Sequence, residues 1–256
     1  MTVLPHSWPR AAASVLLTAL ATIATARADI YDEAVSHPGR SAADLRRDAL
    51  DHPAELLRLA KIKPGMRVAD LLADNGYYSE LLSYVVGPKG HVLLLNNSAY
   101  ETWGKQSWQP RLANNRLPNV EHRTIDLEHL GLPDASLDAV LLIKVYHDFY
   151  WKDPEGTWPA MDPQKVLGEI ARVLKPGGVV LLVDHSAKPG TAAADAPTLH
   201  RIDEAYTRAD FARHGFESVA SSDALRRPDD PRDQITYKGP MVGKTDRFVL
   251  VLRKTR

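Results

Sequence analysis

The 256-residue chain, 44% hydrophobic and 25% charged, has the composition of a folded globular protein with one large domain. Its 32 basic and 32 acidic residues balance; without residues 1–28, which hold Arg10 and Arg27 but no acid, 30 basic residues face 32 acidic ones. That balance gives no electrostatic case for nucleic acid or an anionic membrane, and the lack of cysteine excludes disulfides, thiolate metal sites and a thiol nucleophile.

Residues 1–28 read as a secretory signal peptide, with Arg10 in a polar start, an apolar core over 11–23 and the small-residue site Ala26-Arg27-Ala28. The core is shorter than the roughly 20 apolar residues of a membrane helix, and no later segment approaches that length. The expectation is a periplasmic or secreted protein, with a single domain over 29–256 and no stable membrane association after cleavage. A retained N-terminal anchor is the alternative. Residues 29–40 lack a clear period and are expected to drape over the surface. Ser41 and Asp51 are placed as helix caps, with Pro53 in a first turn, giving an N-terminal helical extension over 41–62 that ends at Lys63-Pro64-Gly65.

Strands and helices then alternate. Strands are expected over 68–72, 92–95 and 120–125, and a nearly continuous apolar fourth over 137–145 reads as buried on both faces. Helices are expected over 77–86, weakly over 103–112, and from Asp162-Pro163 to residue 174, where Lys175-Pro176-Gly177-Gly178 stops the last one. A fifth strand over 179–183, a helix over 202–214 and strands over 217–220 and 248–252 complete the pattern. The polar segment 223–246 joins the last two strands and is long enough to be functional or mobile. The order predicts an α/β fold, doubly wound, with a mainly parallel sheet and helices on both faces.

Gly65 to Leu82 reads as strand, tight turn and amphipathic helix, the start of a nucleotide-binding βαβ unit in which backbone and a helix N-terminus approach a ligand. The turn keeps one glycine, Gly76. With Val68-Ala69-Asp70-Leu71 in the first strand and Glu169-Ile-Ala-Arg-Val-Leu-Lys-Pro-Gly-Gly178 before the fifth, the order resembles the class I S-adenosylmethionine-dependent methyltransferases over roughly 54–254. Asn75-Gly-Tyr-Tyr-Ser-Glu-Leu-Leu82, Val145-Tyr-His-Asp-Phe-Tyr-Trp151, Val183-Asp-His-Ser-Ala187, Leu199-His-Arg-Ile-Asp203 and Gly243-Lys-Thr-Asp-Arg-Phe248 are similar to a group of exported, predicted methyltransferases.

The resemblance implies a seven-stranded Rossmann-like sheet and S-adenosylmethionine as cofactor. It matches Asp70 to the acid closing strand one and Gly76 to the last glycine of the family's Gly-x-Gly turn; Leu72 and Asp74 stand where glycines are usual. Asn96 falls where an acid holds the ribose hydroxyls, and Asp126 where an acid holds the adenine amino group; Asp126 reads equally as the cap of a short helix over 127–130. Asp74 adds negative charge that suits a sulfonium or amino group and opposes phosphate.

The carboxyl ends of strands four and five share one rim of such a sheet. His147 and His185 are candidate general bases there, with Asp148 or Asp184 orienting an imidazole, Tyr150 and Trp151 forming an aromatic wall, and Tyr78 with Tyr150 excluding water. The leading reading assigns no metal. An alternative takes His147, His185 and His200 with Asp148 or Asp203 as ligands for zinc or another divalent ion in a non-catalytic binding module. Arg201 and Arg247 either bind a substrate carboxylate or pair with Asp203 and Asp246. The expected function is an exported methyltransferase acting on a small-molecule acceptor. A dinucleotide oxidoreductase ranks third, because Gly-x-Gly-x-x-Gly is absent.

Overall fold

The computed structural model describes Met1, residues 29–153 and residues 155–255. The signal-peptide reading of residues 1–28 lies almost entirely outside the described residues. The helices are α1 Ile30–Val35, α2 Ala42–Asp51, α3 Pro53–Leu59, α4 Tyr77–Val86, α5 Ser98–Trp103, α6 Gln109–Leu112, α7 Pro163–Val173, α8 Ala196–Leu199 and α9 Glu204–Arg213. The strands are β1 Arg67–Leu71, β2 His91–Asn96, β3 Val120–Thr124, β4 Leu137–Ile143, β5 Leu174–His185, β6 Phe216–Ser222 and β7 Arg247–Lys254.

They form one seven-stranded sheet in the order β3-β2-β1-β4-β5-β7-β6. β1 to β5 are parallel, and β7 runs antiparallel to β5 and β6, so the sheet is mixed at one edge. Period-two alternation sorts the apolar residues onto two faces. Leu71, Leu93, Leu142, Leu182 and Leu250 pack with α7 and Phe211 of α9, while Val68, Val92, Leu141, Leu181 and Val249 pack with α3 and α4. The central strands therefore read as continuous apolar runs, being covered on both sides. The connections leave β1 toward one edge and β4 toward the other, which opens a crevice at the carboxyl ends of these two neighbours.

Several local expectations are corrected. Residues 30–35 are helical rather than draped, because Asp29 accepts the Tyr31 and Asp32 amides at 3.1 and 3.0 Å and Ala34 is buried against the α4 side of the sheet. Asp51 caps nothing: it ends α2, and His52, at φ 45°, forms the junction with α3. The weak helix expected over 103–112 is two short pieces, α5 and α6, with left-handed Lys105 and Gln106 between them. Lys175-Pro-Gly-Gly178 does not separate helix from strand. Leu174 already pairs with Leu137, and residues 175–178 bulge from β5 opposite Asp138 before pairing resumes at Ala139 and Val179. The helix expected from residue 202 starts at Glu204, since Ile202 bridges Ser186. No helix among the described residues is long and apolar enough to cross a membrane.

Candidate active site

The turn after β1 carries three left-handed residues in five: Leu72 at φ 55°, Asp74 at φ 51° and Gly76 at φ 75°. At Gly76 a β-carbon would also lie 2.6 Å from Leu94 Cδ1, so glycine is kept where conformation and close approach both demand it. Asn96, at the end of β2, accepts the Asp74 amide at 2.9 Å through Oδ1 and donates Nδ2 to the Asp74 carbonyl at 3.0 Å. Each polar atom of this buried amide bonds the turn, so Asn96 positions Asp74 beside the cavity. A carboxylate cannot make the second bond, so the amide fits this turn better than an acid.

Beside the turn lies a cavity of about 290 Å³, lined by Asp70, Asp74, Tyr78, Arg47, Tyr100 and Lys144 among others. Asp70 is buried and accepts the Ser79 hydroxyl at 2.7 Å; burial pushes its carboxyl up to about 6. The Tyr78 hydroxyl is buried without a partner, and burial pushes its pKa well above the usual phenol value. Asp126 does not line this cavity. It is exposed, its carboxylate accepts the Glu128 amide at 2.9 Å, and residues 126–129 form a bridged turn rather than opening the helix expected over 127–130.

Past β4 the chain bends at Lys144, φ 63°, into a 3-10 turn over His147–Tyr150. A second cavity, of about 410 Å³, shares Tyr100 and Lys144 with the first and is lined by His147, Asp148, His185, His200, Trp103, Trp151 and Tyr237. Asp184, fully buried, accepts His147 Nδ1 at 2.6 Å and the amides of His147 and His185 at 2.9 and 2.7 Å. It therefore orients His147, while His185 is held through Nδ1 by the Thr245 hydroxyl at 2.8 Å. Asp148 Oδ1 lies 3.1 Å from His147 Nε2 and 3.2 Å from His200 Nδ1, and its Oδ2 accepts the Tyr100 hydroxyl at 3.2 Å.

The electrostatics divide these groups. Burial opposes charge on His147, but Asp148 and Asp184 overcome it and push the imidazole up to about 10. Burial would raise the Asp148 carboxyl, yet His147 and His200 hold it well below the usual range. Burial, reinforced by His147 and Lys144, drives His185 well below the ordinary imidazole value, so it is neutral at pH 7. Lys144 falls to about 8 through burial, against the pull of Asp51 3.3 Å away.

Residues 75–182 match the family model described as a methyltransferase domain. The ubiquinone/menaquinone biosynthesis C-methyltransferase UbiE of Vibrio vulnificus strain YJ016 is 29% identical over 188 residues, covering 70% of this chain and 63% of that protein. Its counterpart from Ectopseudomonas mendocina is 28% identical over 153 residues, 59% and 52% of the two chains. The chain spans about half the length of most of the curated relatives it matches. Among solved structures, a SAM dependent methyltransferase from Aquifex aeolicus superposes with TM-score 0.59 at 21% identity over 81% of this chain and 92% of that one. A putative sarcosine dimethylglycine methyltransferase from Galdieria sulphuraria gives 0.54 at 18%, over 82% and 86%. The fold is thus the Rossmann-like fold of S-adenosylmethionine-dependent methyltransferases, and residues 75–182 are similar to a methyltransferase domain.

Within this methyltransferase fold, the crevice brings Asp70, Tyr78, His147, Asp148 and His185 to two adjoining cavities, with Asp184 buried behind His147. Tyr150 is a correction: its hydroxyl meets Asp210, Tyr146 and Tyr206, and its ring lines a different hollow, so it is neither wall nor water barrier here. The arginine pairings also differ. Arg201, fully buried, holds Asp230 at 2.8 and 3.2 Å, the Gln234 carbonyl and the Ser186 carbonyl. Arg247 holds Asp51 and the Leu50 carbonyl. Asp203 instead caps α9, and Asp246 pairs with Arg226 and Arg232. The 223–246 segment is thus pinned by Asp230 and presents Thr236 and Tyr237 to the second cavity. Sequence reasoning missed Arg47, Tyr100 and Lys144. Lys144 left a signal, as a lone base inside the apolar run of β4 and its continuation.

Proposed function

We propose that the protein transfers a methyl group from S-adenosylmethionine to a small, planar acceptor. The observation that carries this reading is the pair of cavities meeting at Tyr100 and Lys144, one holding the buried Asp70 carboxylate and the orphaned Tyr78 hydroxyl, the other walled by Trp103, Trp151 and Tyr237. The residues fit the donor: Asp70 suits an ammonium, Tyr78 has an unspent hydroxyl, and Arg47 at the cavity wall suits a carboxylate. When bound, this cofactor supplies an electrophilic methyl on a sulfonium. Aromatic walls suit a flat ring, in keeping with relatives named for quinone biosynthesis.

His185, which lines the second cavity with Nδ1 anchored at Thr245, is the group we assign to take the acceptor's proton at Nε2. Its removal is expected to lower turnover by roughly 10²-fold or more, the usual range for a general base. Positioning supplies the rest, because in-line displacement needs alignment more than acid-base chemistry. We also place the enzyme outside the cytoplasm, on Arg10, the apolar core of residues 11–23 and Ala26-Arg27-Ala28. N-terminal sequencing of the protein from its host tests cleavage after Ala28.

Calorimetric titration with S-adenosylmethionine and its demethylated product tests the central claim. Saturable heat for both, lost in Asp70→Asn, is expected. Silence toward both at millimolar ligand would overturn it in favour of a non-catalytic binding module.

A further inference from the structure

The floor of the second cavity holds more ligand atoms than a proton transfer needs. His147 Nε2 and His200 Nδ1 lie 3.1 and 3.2 Å from the same Asp148 oxygen, and the three atoms all fall within 4.8 Å of one another. An ion bound by imidazole and carboxylate at ~2.0–2.1 Å separates its ligand atoms by ~2.9–3.4 Å along octahedral or tetrahedral edges. Two of the three edges already have that length. We propose that His147, Asp148 and His200 form a two-histidine, one-carboxylate site for a divalent first-row transition-metal ion, with its remaining positions open to the cavity.

The surroundings are those of a built site. Asp184 accepts His147 Nδ1 at 2.6 Å, which fixes a ring proton there and leaves Nε2, once an ion displaces its proton, as the ligand atom. Two backbone amides hold that carboxylate in turn, so it cannot swing away. The Tyr100 hydroxyl occupies Asp148 Oδ2, leaving Oδ1 as the ligand atom. His200 stands at φ 52°, a strained conformation of the kind that persists where its surroundings enforce it. Asp148 and Asp184 put two carboxylates in a buried cluster, where a divalent ion offsets their charge. Binding of the ion stands on this geometry alone.

The test uses untagged full-length protein, stripped with a chelator and desalted, with neither donor nor acceptor present. Zn²⁺ is titrated by calorimetry and Co²⁺ by visible absorption. One ion per chain and a Co²⁺ ligand-field band are expected. His200→Ala should weaken Zn²⁺ binding by about 100-fold, and Asp184→Asn, which touches only the second layer, by roughly 10–100-fold. His129→Ala, on an exposed histidine outside the cluster, should leave it unchanged. Lack of stoichiometric uptake by the wild type up to about 1 mM Zn²⁺ overturns the site whether or not a variant folds. So does full uptake by folded His200→Ala and Asp184→Asn. Donor calorimetry on the same metal-free protein reports the methyltransferase reading separately, so the failure of either is distinguishable.

Discussion

Replacing Asp70 by Asn is expected to stabilise the ligand-free protein while removing its donor binding. Asp70 is buried at the end of β1, and burial raises its carboxyl from 3.8 to about 6. A raised folded pKa means that the native state binds more protons than the unfolded chain between those values, so stability is present below about pH 4 and is lost as pH rises through 6. At 1.36 kcal/mol per unit, ionised Asp70 costs the empty protein up to ~3 kcal/mol at neutral pH. Asparagine keeps an oxygen for the Ser79 hydroxyl, which Asp70 accepts at 2.7 Å, and carries no charge. For a chain of this size ~2–4 °C accompany each kcal/mol, so the variant should melt up to roughly 10 °C higher at neutral pH. Scanning calorimetry of both proteins between about pH 4 and pH 8 reads the effect as a difference, which cancels the other carboxyls. The gap should open as pH rises through 5 to 6, and the rise in Tm that S-adenosylmethionine is expected to give the wild type should vanish in the variant. A difference that stays flat with pH, or a variant less stable than the wild type at pH 8, would refute the reasoning.

Asn96→Asp should cost about 1–3 kcal/mol in urea unfolding, since it loses the donor to the Asp74 carbonyl and sets a carboxylate against that oxygen. Unchanged stability would count against the role given to Asn96. Tyr150→Phe should leave turnover within about twofold and lower stability by ~1 kcal/mol, because Asp210 keeps the Tyr146 hydroxyl at 2.5 Å and Gln164 at 3.0 Å. A large loss of turnover would return Tyr150 to the active site. Arg201→Met strands a buried Asp230 and should cost about 3–5 kcal/mol, with faster proteolysis of the 223–246 segment. Wild-type protease resistance would show that the segment is pinned elsewhere.

Much of this architecture was legible in the residue pattern, and the reasons are local. The fourth strand is apolar but for Asp138 because both its faces are covered, and a run of that kind needs no partner to be identified. His147 and His185 line one cavity because parallel strands deliver their carboxyl ends to one side. The pairings within the rim were not legible. Asp184 could have oriented either histidine, and backbone amides at 147 and 185 decided for His147. Tyr150 sits four residues after Tyr146, and the tight 3-10 turn carries both hydroxyls to Asp210, 60 or more residues away in sequence. Arg201 and Arg247 pair with Asp230 and Asp51 rather than with the acids nearest in sequence, since burial rewards geometry over proximity along the chain.

The same reasoning explains how the turn after β1 survives without its glycines. Left-handed Leu72 and Asp74 cost ~1–2 kcal/mol each, less for the aspartate. Against this, Leu72 is buried, which contributes roughly 1.5–3 kcal/mol, and the two Asn96 bonds to Asp74 add about 0.5–1.5 kcal/mol each. Cost and gain are of one size, so the side chains at 72, 74 and 96 hold the turn as a set. Exchanging one of them for the superfamily's usual residue removes part of the compensation while leaving the strain elsewhere. Gly76 is the position where no side chain can compensate, because Leu94 already fills the space a β-carbon needs. Glycine at 76, with Leu72, Asp74 and Asn96 around it, lets the turn frame the Asp70 cavity.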